Sequence, residues 1–156
     1  MSTGQLVLLL CVAEALGLAG FATFPALMPT FIAEWGLSNT QAGTLSGAYF
    51  AGYMASVTLL VALTDRRDAR WIYLGGVAVS ALAGFGFALV ADGFWSALAF
   101  QAAAGVGVAG TYMPGLKILS DRVSGPQQSR WVSFYTATFS IGAAGSFFMA
   151  GEIGAA

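Results

Sequence analysis

The heptapeptide Thr64-Asp65-Arg66-Arg67-Asp68-Ala69-Arg70 carries five of the chain's thirteen charged side chains. On either side of it lie two long apolar runs, 41–63 and 71–91, with no charged residue at all. A helix needs about 20 apolar residues to cross the roughly 30 Å hydrocarbon core of a bilayer. Two such runs joined by a short charged link read as a helical hairpin threaded twice through a membrane. The three arginines of the link also mark a side, because short loops rich in Lys and Arg stay on the cytoplasmic face.

The rest of the chain agrees with that start. Of its 156 residues, 58% are hydrophobic and 8% are charged, against about 25% charged in an ordinary soluble domain. Thirteen charges cannot cover the surface of a water-soluble fold. The fold class expected is all-α, a polytopic helical membrane protein. There is no His, which removes the commonest metal ligand and acid–base group. The single cysteine, Cys11, excludes an internal disulfide and most zinc sites and reads as a small apolar packing residue. No Lys or Arg precedes the first apolar run, and that run is longer than a secretory signal's roughly 7–15 residues. It reads as a retained span.

Five spans are expected, over about 6–28, 41–63, 71–91, 94–119 and 131–153, within one transmembrane domain covering 1–156. Pro25 and Pro29 bend the far end of the first span. Trp35 suits an interfacial belt, and Ser38 or Asn39 can cap the second span. In the second span Gly43, Gly47, Ala51 and Ala55 recur every four residues and share one helix face. Small-residue stripes of this kind let helices approach closely in lipid. The third span is apolar all round apart from Ser80 and suits a lipid-facing place. All six basic residues (Arg66, Arg67, Arg70, Lys117, Arg122, Arg130) fall in or beside the two even-numbered connections. That asymmetry predicts a cytoplasmic N-terminus and an outside C-terminus.

Asp65-Arg66 followed by Arg70, between the second and third spans, resembles the loop motif of the major facilitator superfamily of transporters. That motif reads Gly, three residues, Asp, Arg or Lys, any residue, Gly, then two basic residues. Asp65, Arg66 and Arg70 match it; Val61 and Asp68 stand where its glycines belong, and Ala69 replaces a basic residue. The run Gly105-Val106-Gly107 resembles the family's fourth-helix motif, in which an arginine stands four residues before the first glycine. Gln101 occupies that position here. Gly105 to Gly110 also matches the dinucleotide fingerprint Gly-x-Gly-x-x-Gly, but it lies within an apolar helix and no acid follows about 20 residues on. Helix packing explains it better. The fifth span, with Gly142, Ser146 and Ala150 at four-residue spacing, loosely resembles the glycine-rich fifth helix of the family's proton antiporters. It lacks their Gly-Pro pair, so antiport is not supported and generic close packing is the better account.

Glu14 is the one ionisable side chain well inside a span. A carboxylate at that depth costs several kcal/mol unless it faces water, pairs or takes a proton. In the family the first helix lines the central cavity, which favours a cavity site or proton carrier; structural hydrogen bonding is the other reading. Gln101 and Tyr112, eleven residues apart on nearly one face, are the further candidates for the substrate or proton pathway, with a polar helix contact as the alternative for Gln101. Tyr49, Tyr53, Tyr135 and Thr138 are further polar groups able to line a cavity. No nucleophile, metal cluster or carboxylate pair appears at membrane depth, so no enzyme is expected.

The resemblance covers helices one to five and implies the N-terminal bundle of the major facilitator fold. It implies a secondary active carrier of a small solute, with proton coupling by symport expected, in a bacterial cytoplasmic (inner) membrane. A non-transporting membrane subunit or assembly protein is the alternative. The partners expected are the lipid bilayer, a small-molecule substrate and a missing C-terminal half or partner chain. No cofactor, metal or nucleic acid is expected. Five spans leave a six-helix half one short, so the chain is expected to be an incomplete portion that does not transport alone.

Overall fold

The structure, a computed structural model, describes residues 3–155. Among them every element is a helix: α1 (Thr3–Gly17), α2 (Thr23–Ala26), α3 (Met28–Trp35), α4 (Asn39–Leu63), α5 (Ala69–Val90), α6 (Phe94–Ser120) and α7 (Gln128–Ala155). By length and composition α4 and α5 can cross a membrane. At 27 and 28 residues α6 and α7 are longer.

The first apolar run differs from the single span expected over 6–28. The helix stops at Gly17, turns through 18–22, and resumes as α2 and α3. Two glycines, Gly17 and Gly20, stand at the break and weaken helix there. Pro25 and Pro29 follow, four residues apart. Each lacks the N–H that would bond a carbonyl four residues back, and each ring crowds that carbonyl. The turn is carried instead by short bonds, with the Ala19 amide donating to the Leu16 carbonyl and Phe21 to Leu18. Helix α3 closes on Gly36, whose φ of 60° is left-handed and whose N–H reaches the Ile32 carbonyl.

Helix starts follow local chemistry. The Ser38 hydroxyl accepts the Gln41 amide at 3.2 Å, and the Ser38 amide donates to Gln41 Oε1 at 2.9 Å, a reciprocal cap for α4. Asp68 caps α5 by accepting the Arg70 amide at 2.9 Å. So the charged heptapeptide is at once the turn between two helices and the start of the second.

Helix α6 is the spine, and α4 and α5 pack along two of its sides. These contacts are backbone to backbone. A Cβ at Gly52 would fall on the Ala102 carbonyl, one at Gly105 on the Tyr49 carbonyl, and one at Gly76 on Gly107 and Gly110. The third run is thus not purely lipid-facing: Ile72, Gly76 and Ala83 of α5 are buried. The small-residue stripe of α4 points the other way. Gly43, Gly47, Ala51 and Ala55 are exposed, and nothing lies within 4 Å of a Cβ built at Gly43 or Gly47. The buried face of α4 is Ala42, Leu45, Tyr49 and Gly52.

Helices α1 and α7 form the other pair, joined where Gly142 stands against Ala15 and Leu18. At one end of the bundle Trp35 packs with Phe31 and Phe87, alongside Phe24. The outer surface is apolar: Leu16, Leu59, Leu82, Leu89 and Phe148 are each at least 70% exposed. Soluble proteins seldom leave so much contiguous apolar surface in water.

Candidate functional site

Glu14 lies on α1 one turn before the break and is only 2% exposed. Its neighbour across the bundle is Tyr135 of α7, which is fully buried. The Tyr135 hydroxyl is within hydrogen-bond distance of Glu14 Oε2, at 3.1 Å, and of the Tyr112 carbonyl of α6, at 3.2 Å. Three helices thus meet at one hydroxyl. Room for it is made by Gly115, where a Cβ would collide with the Tyr135 hydroxyl. The Tyr112 ring stacks on the Tyr135 ring with centroids 5.8 Å apart and meets Phe139 edge-on.

Glu14 Oε1 is buried with no hydrogen-bond partner, as are the hydroxyls of Tyr49 and Tyr73. Tyr49, Tyr53 and Tyr73 all lie within electrostatic reach of the Glu14 carboxyl. Among the described residues the ion pairs are Arg70 with Asp68 and Lys117 with Asp121, so no base pairs with Glu14. The result is a lone acid ringed by phenols in a helix core. Such a group can take up or release a proton, or accept a hydrogen bond from a solute.

Gln101 is elsewhere. It lies eleven residues from Tyr112, about 16 Å along the helix axis. With Tyr49 and Ser80 it lines a cleft of about 680 Å³ between α1 and α5, floored by Ala104, Val108 and Thr111 of α6. The broken segment of α1 opens onto the same cleft through Gly17, Gly20 and Phe21. The structure therefore joins Glu14 to Tyr112 through Tyr135, and places Gln101 in a cleft whose wall includes Tyr49, one of the phenols around Glu14.

Of the remaining sequence candidates, Gly105 and Gly107 lie in the α6 contacts, Gly107 against Ser80. Gly142 lies in the α1–α7 contact. Ser146 does more than pack: its hydroxyl donates to the Ala19 carbonyl at 2.7 Å and accepts the Ala22 amide at 2.9 Å. Thr138 spends its hydroxyl on the Phe134 carbonyl of its own helix. Asp65 and Arg66 are exposed in the turn, and Arg70 stands 4.0 Å from Asp68. Tyr135 carries more of the site than its sequence signal suggested. The signal available was negative: a buried acid with no mid-span base needs a hydroxyl donor.

A helical bundle with an apolar outer surface and two helices long and apolar enough to cross a bilayer fits a membrane protein. The model of the family described as Major Facilitator Superfamily matches residues 10–156, and the chain belongs to that family of membrane transporters. No curated protein is found to match it.

Proposed function

We propose that this chain supplies the N-terminal bundle of a proton-coupled carrier for a small solute, with five membrane crossings. Glu14 is the proton-carrying group and Tyr135 its hydrogen-bonding partner. The observation that carries this reading is the burial of Glu14, without a basic partner, at the junction of α1, α6 and α7. An acid in that setting exchanges its charge with a proton at far lower cost than it can keep it. Its neighbours are uncharged, so proton binding changes the net charge of the core by a full unit. That change biases whichever packing of α1 against α7 tolerates the charge better.

The solute site faces an opposing bundle, provided by further residues or by a partner chain. The exposed small-residue stripe of α4 and the exposed face of α1 are surfaces for that bundle or for lipid. Orientation follows the basic residues: the Asp65–Arg70 turn and the 121–130 connection are cytoplasmic. The membrane proposed is the bacterial cytoplasmic one.

The test is uphill transport in proteoliposomes that carry the complete carrier, scored with a trapped pH dye against a panel of small solutes. Glu14→Gln should abolish solute-linked proton movement and uphill accumulation while downhill flux persists. Unaltered uphill accumulation at normal expression rejects Glu14 as the coupling group.

A further inference from the structure

The Tyr135 hydroxyl has one hydrogen and two acceptors in place, Glu14 Oε2 at 3.1 Å and the Tyr112 carbonyl at 3.2 Å. A phenol donates once and accepts through its lone pairs. If Glu14 were a carboxylate, the hydrogen would go to it, and the Tyr112 carbonyl would face a bare oxygen. If Glu14 is the neutral acid, both contacts are satisfied. Oε2–H donates to the Tyr135 oxygen, and the Tyr135 hydrogen goes to the Tyr112 carbonyl. The second arrangement is the one in which both observed distances are hydrogen bonds.

We propose that Tyr135 is a two-position hydroxyl that converts the protonation of Glu14 into contact or separation of α7 and α6. With the proton on Glu14, a chain of two hydrogen bonds runs from α1 through α7 to α6. When the proton leaves, the carboxylate claims the Tyr135 hydrogen and the tie to the Tyr112 carbonyl is released. The proton lost goes to water or to the next carrier, and no covalent bond other than O–H changes. Tyr135 is a positioning residue here, acting through Glu14.

The setting leaves few competing groups. The titratable groups within reach of Glu14 are Tyr135 on α7, Tyr73 on α5, and Tyr49 and Tyr53 on α4, with Tyr112 of α6 stacked on Tyr135. On α1 itself Cys11 is one turn away. Lys117, the basic residue on α6, is engaged with Asp121 at 3.6 Å. The stacked Tyr112 ring holds the Tyr135 ring in plane, so the hydroxyl changes partner by rotating its hydrogen rather than by moving its ring. The α6–α7 contact is also sparse compared with α4 and α5 on α6, so one hydrogen bond there matters more.

This inference rests on Glu14 as the proton carrier, and infrared difference spectroscopy of the purified 156-residue chain in lipid nanodiscs separates the two. Across a pH titration, the carbonyl stretch of a protonated carboxylic acid should appear and be missing from Glu14→Gln. The ring C–O stretch of one tyrosine, missing from Tyr135→Phe, should change with the same midpoint. In Tyr135→Phe the acid band should move to higher frequency and its midpoint should shift, because its hydrogen-bond acceptor is gone. Circular dichroism checks the fold of each variant, and ring-labelled tyrosine in the parent chain gives the readout with no substitution. A Tyr135 band that stays fixed while Glu14 titrates overturns the proposal, as does a Glu14 that never shows the acid band. Coupled infrared bands with unaltered transport by Glu14→Gln would leave this device standing and remove only the transport role.

Discussion

Ser146, on α7, accepts the backbone N–H of Ala22 at 2.9 Å from the far side of the broken first helix. The same hydroxyl donates to the Ala19 carbonyl at 2.7 Å, so it serves one donor and one acceptor that the helix break leaves over. Inside a membrane, backbone polar groups outside regular helix must find partners within the protein. Ser146 is 1% exposed, and water does not reach the pair to replace it.

Ser146→Ala should therefore destabilise the bundle by about 1–3 kcal/mol, the cost of leaving a buried backbone group without its partner. Ser146→Thr retains the hydroxyl and should recover part of that loss if its methyl fits. Thermal unfolding in detergent followed by circular dichroism measures both. An Ala variant as stable as the parent would mean that the turn at 18–22 satisfies itself locally.

The glycines of α4 and α6 divide by what stands opposite them. A Cβ at Gly105 would strike the Tyr49 carbonyl, which cannot move without shifting α4, whereas one at Gly43 or Gly47 meets nothing within 4 Å. Gly105→Ala should cost about 1–3 kcal/mol through overpacking. Gly43→Ala and Gly47→Ala should be neutral, or stabilising by up to about 1 kcal/mol, since alanine is the better helix former. Thermal midpoints of the three variants give the ordering. Equal losses at all three positions would place a partner against the α4 stripe in the membrane, which the isolated bundle does not contain.

That contrast shows where the sequence was legible. Helix class, the charged turn and the Ser38 cap follow from composition and local chemistry, which a single chain carries in full. The break in the first helix was half visible: Pro25 and Pro29 announced a bend, but the hydroxyl that bonds the backbone of the turn belongs to Ser146, which lies 129 residues beyond Gly17. The stripe of α4 has no partner among the described residues, because small residues every four positions mark a face that permits close approach without saying what approaches. Gly52 and Gly105, which do mediate it, are not on that stripe. For the site, Glu14 was conspicuous as a lone acid in an apolar run. Its partner was not, because one tyrosine among five has no sequence mark of burial, and only the packing of α7 selects Tyr135. Gln101 and Tyr112 share a face, yet about 16 Å of helix separates them, so a common face does not by itself bring two side chains into contact.

Orientation is the remaining prediction, and the basic residues carry it. Arg66, Arg67 and Arg70 stand in or just after one turn, and Arg122 and Arg130 lie in and just after another. The connections at 36–38 and 91–93 contain no Lys or Arg. Retaining such residues on the cytoplasmic side sets the topology of short loops. The side chains to be replaced are all exposed in the structure: Arg67 and Ser124 on one set of turns, Asn39 and Asp92 on the other. In a Cys11→Ala background, cysteines at Arg67 and Ser124 should react with an impermeant maleimide only after the cytoplasmic face is opened. Cysteines at Asn39 and Asp92 should react in intact cells. Because alternate connections of a helical bundle lie at opposite ends, the two pairs must give opposite answers if every long helix crosses. The reverse pattern would invert the assignment, and equal labelling of both pairs in intact cells would mean that the helices do not alternate across the bilayer.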